Sequence, residues 1–404
     1  VNVTPSSVSS VRATTTSPAV PAGTPVVGIV GGGQLARMLV HAAQRLGVQT
    51  RILAAPGAAE AVEHHGPVDT GDPLDPKVLD EFCRSCDAVT LENESIDAEV
   101  VEALARLGRP VRPGAGALRL TDKARQRTTL ATLGFPVPPH AICTSVREIT
   151  DFAARHGWPV VAKQPRGGYD GRGVHWLESD EQAMVALAVA GPGGRLLVEP
   201  ALRIERELAV LVARRADGEH VVYPVVDTVQ RNGICHSTIA PSVLDPALLA
   251  EATTIAVQIA HTVDAVGVFA VELFVVDGHI VVNEVAPRPH NSGHFTIDGC
   301  VTSQFENHLR AVLGWPLGST ALRAGAVAMV NVLGGPGDHD PRANLPLALA
   351  DPDVHVHLYG KQAKAGRKLG HVTALAPGHA EATDRAVAAA HALVHGHRSP
   401  GTAE

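Results

Sequence analysis

The run Val-Phe-Ala-Val-Glu-Leu-Phe-Val-Val-Asp-Gly-His-Ile-Val-Val-Asn-Glu-Val at 268–285 places Glu272 and Glu284 in two otherwise apolar strands joined by an Asp277-Gly278 turn. The side-chain period of a strand is two, so the turn decides where the glutamates point. A two-residue turn sets 272 against 283 and sends them to opposite faces. A three-residue loop, Val276-Asp277-Gly278 with Gly278 left-handed, sets 275 against 279 and 272 against 282. Glu284 then lies diagonal to Glu272 on one face, roughly 7–8 Å away. We expect the second register, with Ala270, Phe274, Val282 and Ala286 on the glutamates' own face. Carboxylates among such neighbours require a cation. Hard oxygen donors on one face suit Mg²⁺, which takes few protein carboxylates and leaves positions for water and phosphate, and Asn283 adds a third oxygen donor. The plainer reading, two metal-free glutamates each paired to an arginine, is less favoured.

A chain of 404 residues is long enough for two or three domains. Its formal charge of −7 argues against a general nucleic-acid or membrane-surface binder, so an anionic ligand requires local Lys and Arg clusters. No apolar run approaches the roughly 18 residues of a spanning helix. Residues 1–24 and 398–404 read as disordered tails, the first lacking the apolar core of a secretion signal. Five cysteines, odd and sparse, fit a reducing cytoplasm. Cys83-Arg-Ser-Cys86 has redox spacing, yet it ends a helix expected over Pro76–Cys86, where the dipole disfavours a thiolate. A zinc site is not expected, because no second pair completes one and His290 and His294 are separated by a loop.

From Val26 the pattern runs strand (Val26–Val30), glycine turn (Gly31–Gly33), helix (Gln34–Leu46) and strand (Val48–Leu53), a βαβ opening. Further alternation carries a parallel α/β domain over 25–119. A second region, 120–315, starts with a helix over Asp122–Leu133 and mixes short strands, a glycine loop and the glutamate hairpin, so it reads as α+β with antiparallel sheets. A small domain over 316–397 carries strands at Ala324–Val332, Val354–Leu358 and His371–Leu375 and a helix at Glu381–Val394.

Gly31-Gly-Gly33-Gln-Leu-Ala36 fits a loose dinucleotide pattern and supports a rival, a nucleotide-dependent oxidoreductase. The second strand, however, ends Ile52-Leu53-Ala54-Ala55 without the ribose-binding acid that pattern needs. The turn still suits one phosphate or sugar at the helix N-terminus, nearest Gln34 and Leu35. A loop with Gly167, Gly168, Gly171 and Gly173, bearing Arg166, Tyr169, Asp170 and Arg172, sits between strands Val160–Ala162 and Val174–Leu177. Backbone amides in such a loop can close over phosphates, and Lys163 at its entry is a phosphate candidate. Leu196–Val212 reads as two strands with a charged linker, where backbone at 200–202 can meet a base edge and Glu207 ribose hydroxyls. Arg288, His290, Asn291 and Ser292 follow directly from the glutamate hairpin. Lys361, Lys364, Arg367 and Lys368 form a second basic cluster suited to an anion.

Together these residues resemble the ATP-grasp superfamily and, within it, the 5-(carboxyamino)imidazole ribonucleotide synthase family. The resemblance spans about Val26 to His371. Its specific strings are Gly-Gly-Gly-Gln-Leu at 31–35, Gly-Gly-Tyr-Asp-Gly-Arg-Gly at 167–173, Asn-Glu at 283–284 with Ala-Pro-Arg-Pro-His-Asn-Ser-Gly-His at 286–294, and Gly-Arg-Lys-Leu-Gly-His at 366–371. It implies an ATP-grasp fold with an N-terminal parallel βαβ (pre-ATP-grasp) domain and a small C-terminal domain, in a cytoplasmic homodimer. It implies an ATP-dependent carbon–nitrogen ligase that joins bicarbonate to aminoimidazole ribonucleotide through carboxyphosphate in purine biosynthesis, with no nucleic-acid or membrane partner. Lys123 and Lys163 would hold ATP phosphates under the glycine loop, Glu199, Leu202 and Glu207 adenine and ribose, and Glu272 and Glu284 two Mg²⁺ ions. Tyr169, Asp170, Arg172, Arg288, Asn291, Ser292, Lys361, Arg367 and Lys368 would surround the ribonucleotide and carboxyphosphate, with Asp170 a candidate base. Departures from the family pattern are Gln230 for a histidine, which touches a nucleotide contact, Lys364 for an arginine, and Ala36 for a glycine. The alternative within the superfamily is another acyl-phosphate ligase, such as a formate-dependent glycinamide ribonucleotide transformylase.

Overall fold

The computed structural model describes residues 23–397 apart from 169–170, 192, 336 and 338. Tyr169, Asp170 and the expected tails, save Gly23 and Thr24, therefore lie outside the described residues.

Three sheets organise the described residues. The first is parallel and five-stranded, ordered Val68–Thr70, Gln49–Ala54, Val26–Val30, Ala88–Leu91, Val111–Arg112. Its central strand, Val-Val-Gly-Ile-Val, is apolar because helices cover both faces of a parallel sheet. The helix Gln34–Arg45 starts after the glycine turn and buries Leu35, Met38, Leu39, Ala42 and Ala43. That stripe packs with Phe305 and Leu309 of the helix Gln304–Val312, which fastens the N-terminal unit to the rest. The helix expected to reach Cys86 stops at Arg84. Asp75 caps its start with Pro76 in the first turn, and the Ser85 and Cys86 N–H groups bond back to Phe82 and Cys83.

The second sheet has four antiparallel strands, ordered Ala141–Cys143, Leu196–Pro200, Val160–Lys163, Val174–Leu177, and it packs on the helices Val146–His156 and Asp180–Ala190. The third is nine-stranded and antiparallel. It runs His279–Ala286, Gly267–Val276, Arg206–Arg214, Val226–Arg231, Ile234–Ala240, Ala326–Leu333, Lys368–Ala376, Val354–Leu358, with His220–Val222 beside Arg206–Arg214. The last three strands, expected in a small C-terminal domain, keep a core of their own under the helix His379–His395 and also join this sheet through the pairing of Ile234–Ala240 with Ala326–Leu333.

The glutamate hairpin departs from the expected register. Val276 pairs with His279, so the turn is the two-residue Asp277-Gly278, both residues having positive φ (49° and 73°) as the twist-matched hairpin turn requires. Parity is restored by a β-bulge instead. Leu273 opposes Val282, Glu272 opposes Glu284, and Asn283 is the extra residue between them. The glutamates are therefore direct neighbours rather than diagonal ones. Val282, expected on their face, lies with Leu273, Val275, Ile280 and Val285 in the core against Ile255 and Ile259 of the helix Pro246–Thr262. Burial of each such side chain contributes about 1.5–3 kcal/mol, so the apolar face fixes the hairpin and turns the acids to the other side.

Candidate active site

The carboxylates at 272 and 284 differ in state. Burial, and then the neighbouring Glu284, push Glu272 up to about 7. Burial also acts on Glu284, but Lys123, Lys163 and Arg288 outweigh it and hold that carboxyl below its usual range. Lys123, the first residue of the helix Lys123–Thr132, forms an ion pair with Glu284. Asn283 does not aim its oxygen at the pair as expected: its Nδ2 donates to Glu272 Oε2 at 3.1 Å and its Oδ1 accepts from Lys163 Nζ at 3.2 Å. Glu284 thus raises the Glu272 carboxyl by like-charge repulsion, and a divalent cation between the two acids would relieve it. Among the described residues no group of three or more His, Cys, Asp or Glu can hold a metal. A cation bound here would take oxygens from its ligand and from water, as Mg²⁺ does with nucleotide phosphates.

Lys163 also lies 2.7 Å from Glu199 Oε2, and the other Glu199 oxygen is held by Arg127. Burial alone would raise the Glu199 carboxyl; Lys163 and Arg127 together reverse this and keep it ionised. Arg127 escaped the sequence reading. Its side chain is 2% exposed and its guanidinium donates to the carbonyls of Val282, at 2.7 Å, and Asn283, at 2.8 Å, so it clamps the bulge that aligns the glutamates. The available signal was its spacing from Lys123, four residues along one helix face. Glu207 shares the Glu272 face, since 207 opposes 274 and 209 opposes 272; burial raises its carboxyl and the Gln230 side chain partly offsets this. Gln230 thus stands beside the expected ribose acid. Leu202 is half-buried in the connection between the strands ending at Pro200 and starting at Arg206.

The glycine loop follows Lys163. Gly167, Gly171 and Gly173 have φ of 77°, 75° and 73°, and a Cβ on Gly168 would come 2.5 Å from the Arg172 carbonyl. Gly171 packs on Gly233 in the turn of the neighbouring hairpin, and Arg166 reaches Asp97 of the N-terminal unit at 2.6 Å. Arg172 is exposed on this loop.

The segment after the hairpin forms the next wall. Arg288 Nε lies 3.0 Å from Glu94 Oε1, His290 Nε2 lies 3.4 Å from Glu272 Oε1, and His290 Nδ1 lies 2.9 Å from Ser292 Oγ. Burial, then Arg288, hold His290 down to about 3, so its ring is neutral. Asn291 pairs with Asn331. From the second basic cluster Lys361 meets Gln34 at the N-terminal glycine turn, and Arg367 pairs with Glu60 at 2.7 Å. Burial and then Arg367 lower the Lys361 ammonium, against Glu92 and Glu60. Lys368 acts on Lys361, His290 and His294 alike, which ties this cluster to the hairpin wall. Leu35 does not offer its side chain, which is 7% exposed in the core; only its backbone remains for a ligand. Glu60, Glu92 and Glu94, acidic partners far away in sequence, were also missed. The Glu92 carboxylate fills the glycine turn, where a Cβ on Gly31 would meet it at 2.6 Å. Burial disfavours the thiolate in both members of the pair, pushing Cys83 up to about 12 and raising Cys86.

Comparison with known proteins agrees with this architecture. The model of the ribonucleotide synthetase preATP-grasp domain matches residues 25–122, that of the ATP-grasp domain 128–305, and that of the phosphoribosylaminoimidazole carboxylase C-terminal domain 327–385. The N5-carboxyaminoimidazole ribonucleotide synthase of Mycobacterium bovis is 42% identical over 386 residues, covering 93% of this chain and 90% of its own length. A crystal structure of the Aspergillus clavatus carboxyaminoimidazole ribonucleotide synthase complexed with ATP superposes with a TM-score of 0.84 at 33% identity, over 93% of this chain and 99% of that one. A second structure from that organism, in complex with ADP and 5-aminoimidazole ribonucleotide, gives 0.82 at 33% identity, over 92% and 98%. With three consecutive domain matches and these full-length relatives, the chain belongs to the N5-carboxyaminoimidazole ribonucleotide synthase family of ATP-grasp enzymes.

Proposed function

We propose that this chain is the ATP-dependent ligase that carboxylates 5-aminoimidazole ribonucleotide with bicarbonate, giving N5-carboxyaminoimidazole ribonucleotide, ADP and phosphate in purine biosynthesis. The observation that carries the reading is the convergence of three separately recognised segments: Glu272 and Glu284 under Lys123 and Lys163, the Arg288–Ser292 loop touching Glu272 through His290, and Lys361 reaching Gln34. On this reading a nucleotide site adjoins a second, cationic one.

Bicarbonate must be activated before an amine can attack it. One of its oxygens attacks the γ-phosphorus of ATP, ADP leaves, and the product is carboxyphosphate. The exocyclic amine of the ribonucleotide then attacks the carboxyl carbon, phosphate departs, and the amine gives up a proton. Lys123 and Lys163 neutralise the phosphates, and the glycine loop excludes the water that would hydrolyse carboxyphosphate. Glu272 and Glu284 would hold Mg²⁺, two ions by family resemblance, and the metal would supply positive charge to the transferring phosphoryl group. Glu207, next to Gln230, faces the nucleotide ribose. Arg288, Asn291, Ser292, Lys361, Arg367 and Lys368 receive the ribonucleotide, and Asp170 accepts the amine proton by the same resemblance. The test is a product assay with each substrate omitted in turn. ADP release should require aminoimidazole ribonucleotide and rise with bicarbonate; turnover with formate and glycinamide ribonucleotide would assign the chain to the transformylase reaction instead.

A further inference from the structure

Asn331 is the polar residue in the otherwise apolar strand Ala326–Leu333 and is 5% exposed. A carboxamide there is costly unless its groups are paired. Nδ2 of Asn331 donates to Asn291 Oδ1 at 2.7 Å and to the Cys235 carbonyl at 2.8 Å, while its Oδ1 accepts from Asn291 Nδ2 at 2.9 Å. The two asparagines thus form a reciprocal amide pair between the loop after the glutamate hairpin and a strand of the C-terminal segment. An asparagine amide has two N–H donors and one carbonyl. Asn331 engages one N–H and the oxygen of Asn291, which fixes the orientation of that amide and leaves its second N–H on a half-buried side chain. Without its partner the Asn291 amide is free to turn over and present oxygen instead. The loop backbone has a separate anchor: Gln304 Oε1 accepts from the His290 N–H at 2.9 Å and Gln304 Nε2 donates to the His290 carbonyl at 2.7 Å.

We infer that Asn331 is a positioning residue for the substrate: it sets Asn291 to offer an N–H to an acceptor oxygen of the ribonucleotide, on its phosphate or ribose. Substrate affinity is thereby coupled to the strand that carries Asn331. The inference rests on the Arg288–Ser292 loop being the ribonucleotide loop.

Steady-state kinetics on the full chain test it, comparing wild type, Asn331→Leu, Asn291→Ala and the double variant, with melting temperatures alongside. Asn331→Leu should raise KM for aminoimidazole ribonucleotide roughly 5–20-fold and leave KM for ATP within about twofold, as expected for one misplaced hydrogen bond. The double variant should be no worse than Asn291→Ala, because Asn331 acts through Asn291. Additive effects, or equal rises in both KM values, would overturn the inference. An impaired Asn291→Ala beside an unimpaired Asn331→Leu overturns this inference alone; an unimpaired Asn291→Ala overturns the substrate-loop assignment as well. Should Asn331→Leu not fold, Asn331→Ser keeps a donor for the Cys235 carbonyl but cannot form the reciprocal pair, and it enters the same comparison.

Discussion

Replacing Arg127 with methionine removes a buried cation that holds two things at once, Glu199 and the bulge carbonyls at 282 and 283. The side chains of Arg127 and Glu199 are only 2% and 4% exposed, so the variant strands a carboxylate away from water. Deleting one partner of a buried pair costs about 3–5 kcal/mol. Lys163, 2.7 Å from the second Glu199 oxygen, remains, which places the expected loss at the lower end, about 3 kcal/mol. In a cooperative unit of roughly 150–250 residues each kcal/mol moves the midpoint by about 2–4 °C, so melting should fall by about 6–12 °C. Activity should fall for a separate reason: the bulge no longer holds Glu284 squarely against Glu272, and KM for ATP rises. Thermal unfolding followed by circular dichroism, with ATP kinetics, measures both. The double variant Arg127→Met/Glu199→Leu removes the stranded charge and should recover part of the melting temperature but none of the activity. A single variant that melts within about 2 °C of wild type with unchanged KM for ATP would refute the clamp.

Lys361→Ala should raise KM for aminoimidazole ribonucleotide about 10-fold or more, the size of a lost charged hydrogen bond, while ADP binding by titration calorimetry stays near wild type; a matching loss in both would remove Lys361 from the ribonucleotide side. The pH profile of stability follows from buried neutral histidines. Burial holds His308 down to about 3, where it bridges Thr90 Oγ1 at 2.7 Å and the Val268 N–H at 2.9 Å, and it also holds His294 and His371 far below their usual range. A histidine whose folded pKa is depressed contributes stability that is complete above its unfolded value, about 6.5, and is lost as pH falls toward the folded value, at up to about 1.4 kcal/mol per pH unit for each ring. Melting temperature should therefore decline steadily from pH 6.5 to 5, and an equal value at pH 5.5 and pH 8 would contradict these assignments.

The parallel opening, the antiparallel remainder and most element positions could be read from the sequence, because the βαβ alternation and the apolar hairpin strands leave few other arrangements. The bulge at Asn283 could not. Parity required one extra residue between Glu272 and Glu284, but a longer turn and a bulged strand satisfy it equally, and only packing against the helix Pro246–Thr262 decides between them. The basic groups of the site were visible as clusters. Their acidic partners Glu60 and Glu94 were not, since the pairs Arg367–Glu60 and Arg288–Glu94 join segments with no local pattern in common. At Leu35 the turn reading concerned the backbone at the helix N-terminus, while the side chain answers to the helix stripe.

The account stands on the paired acids of the hairpin binding a divalent ion with the nucleotide. Electron paramagnetic resonance titration of Mn²⁺, an oxygen-preferring stand-in for Mg²⁺, into wild type and Glu284→Gln with ADP present reads this without turnover. Wild type should bind the ion in an ADP-dependent manner, and Glu284→Gln, still folded by its melting curve, should lose that binding about tenfold or more, as for a lost charged ligand. Equal Mn²⁺ affinity in the two proteins would contradict the account.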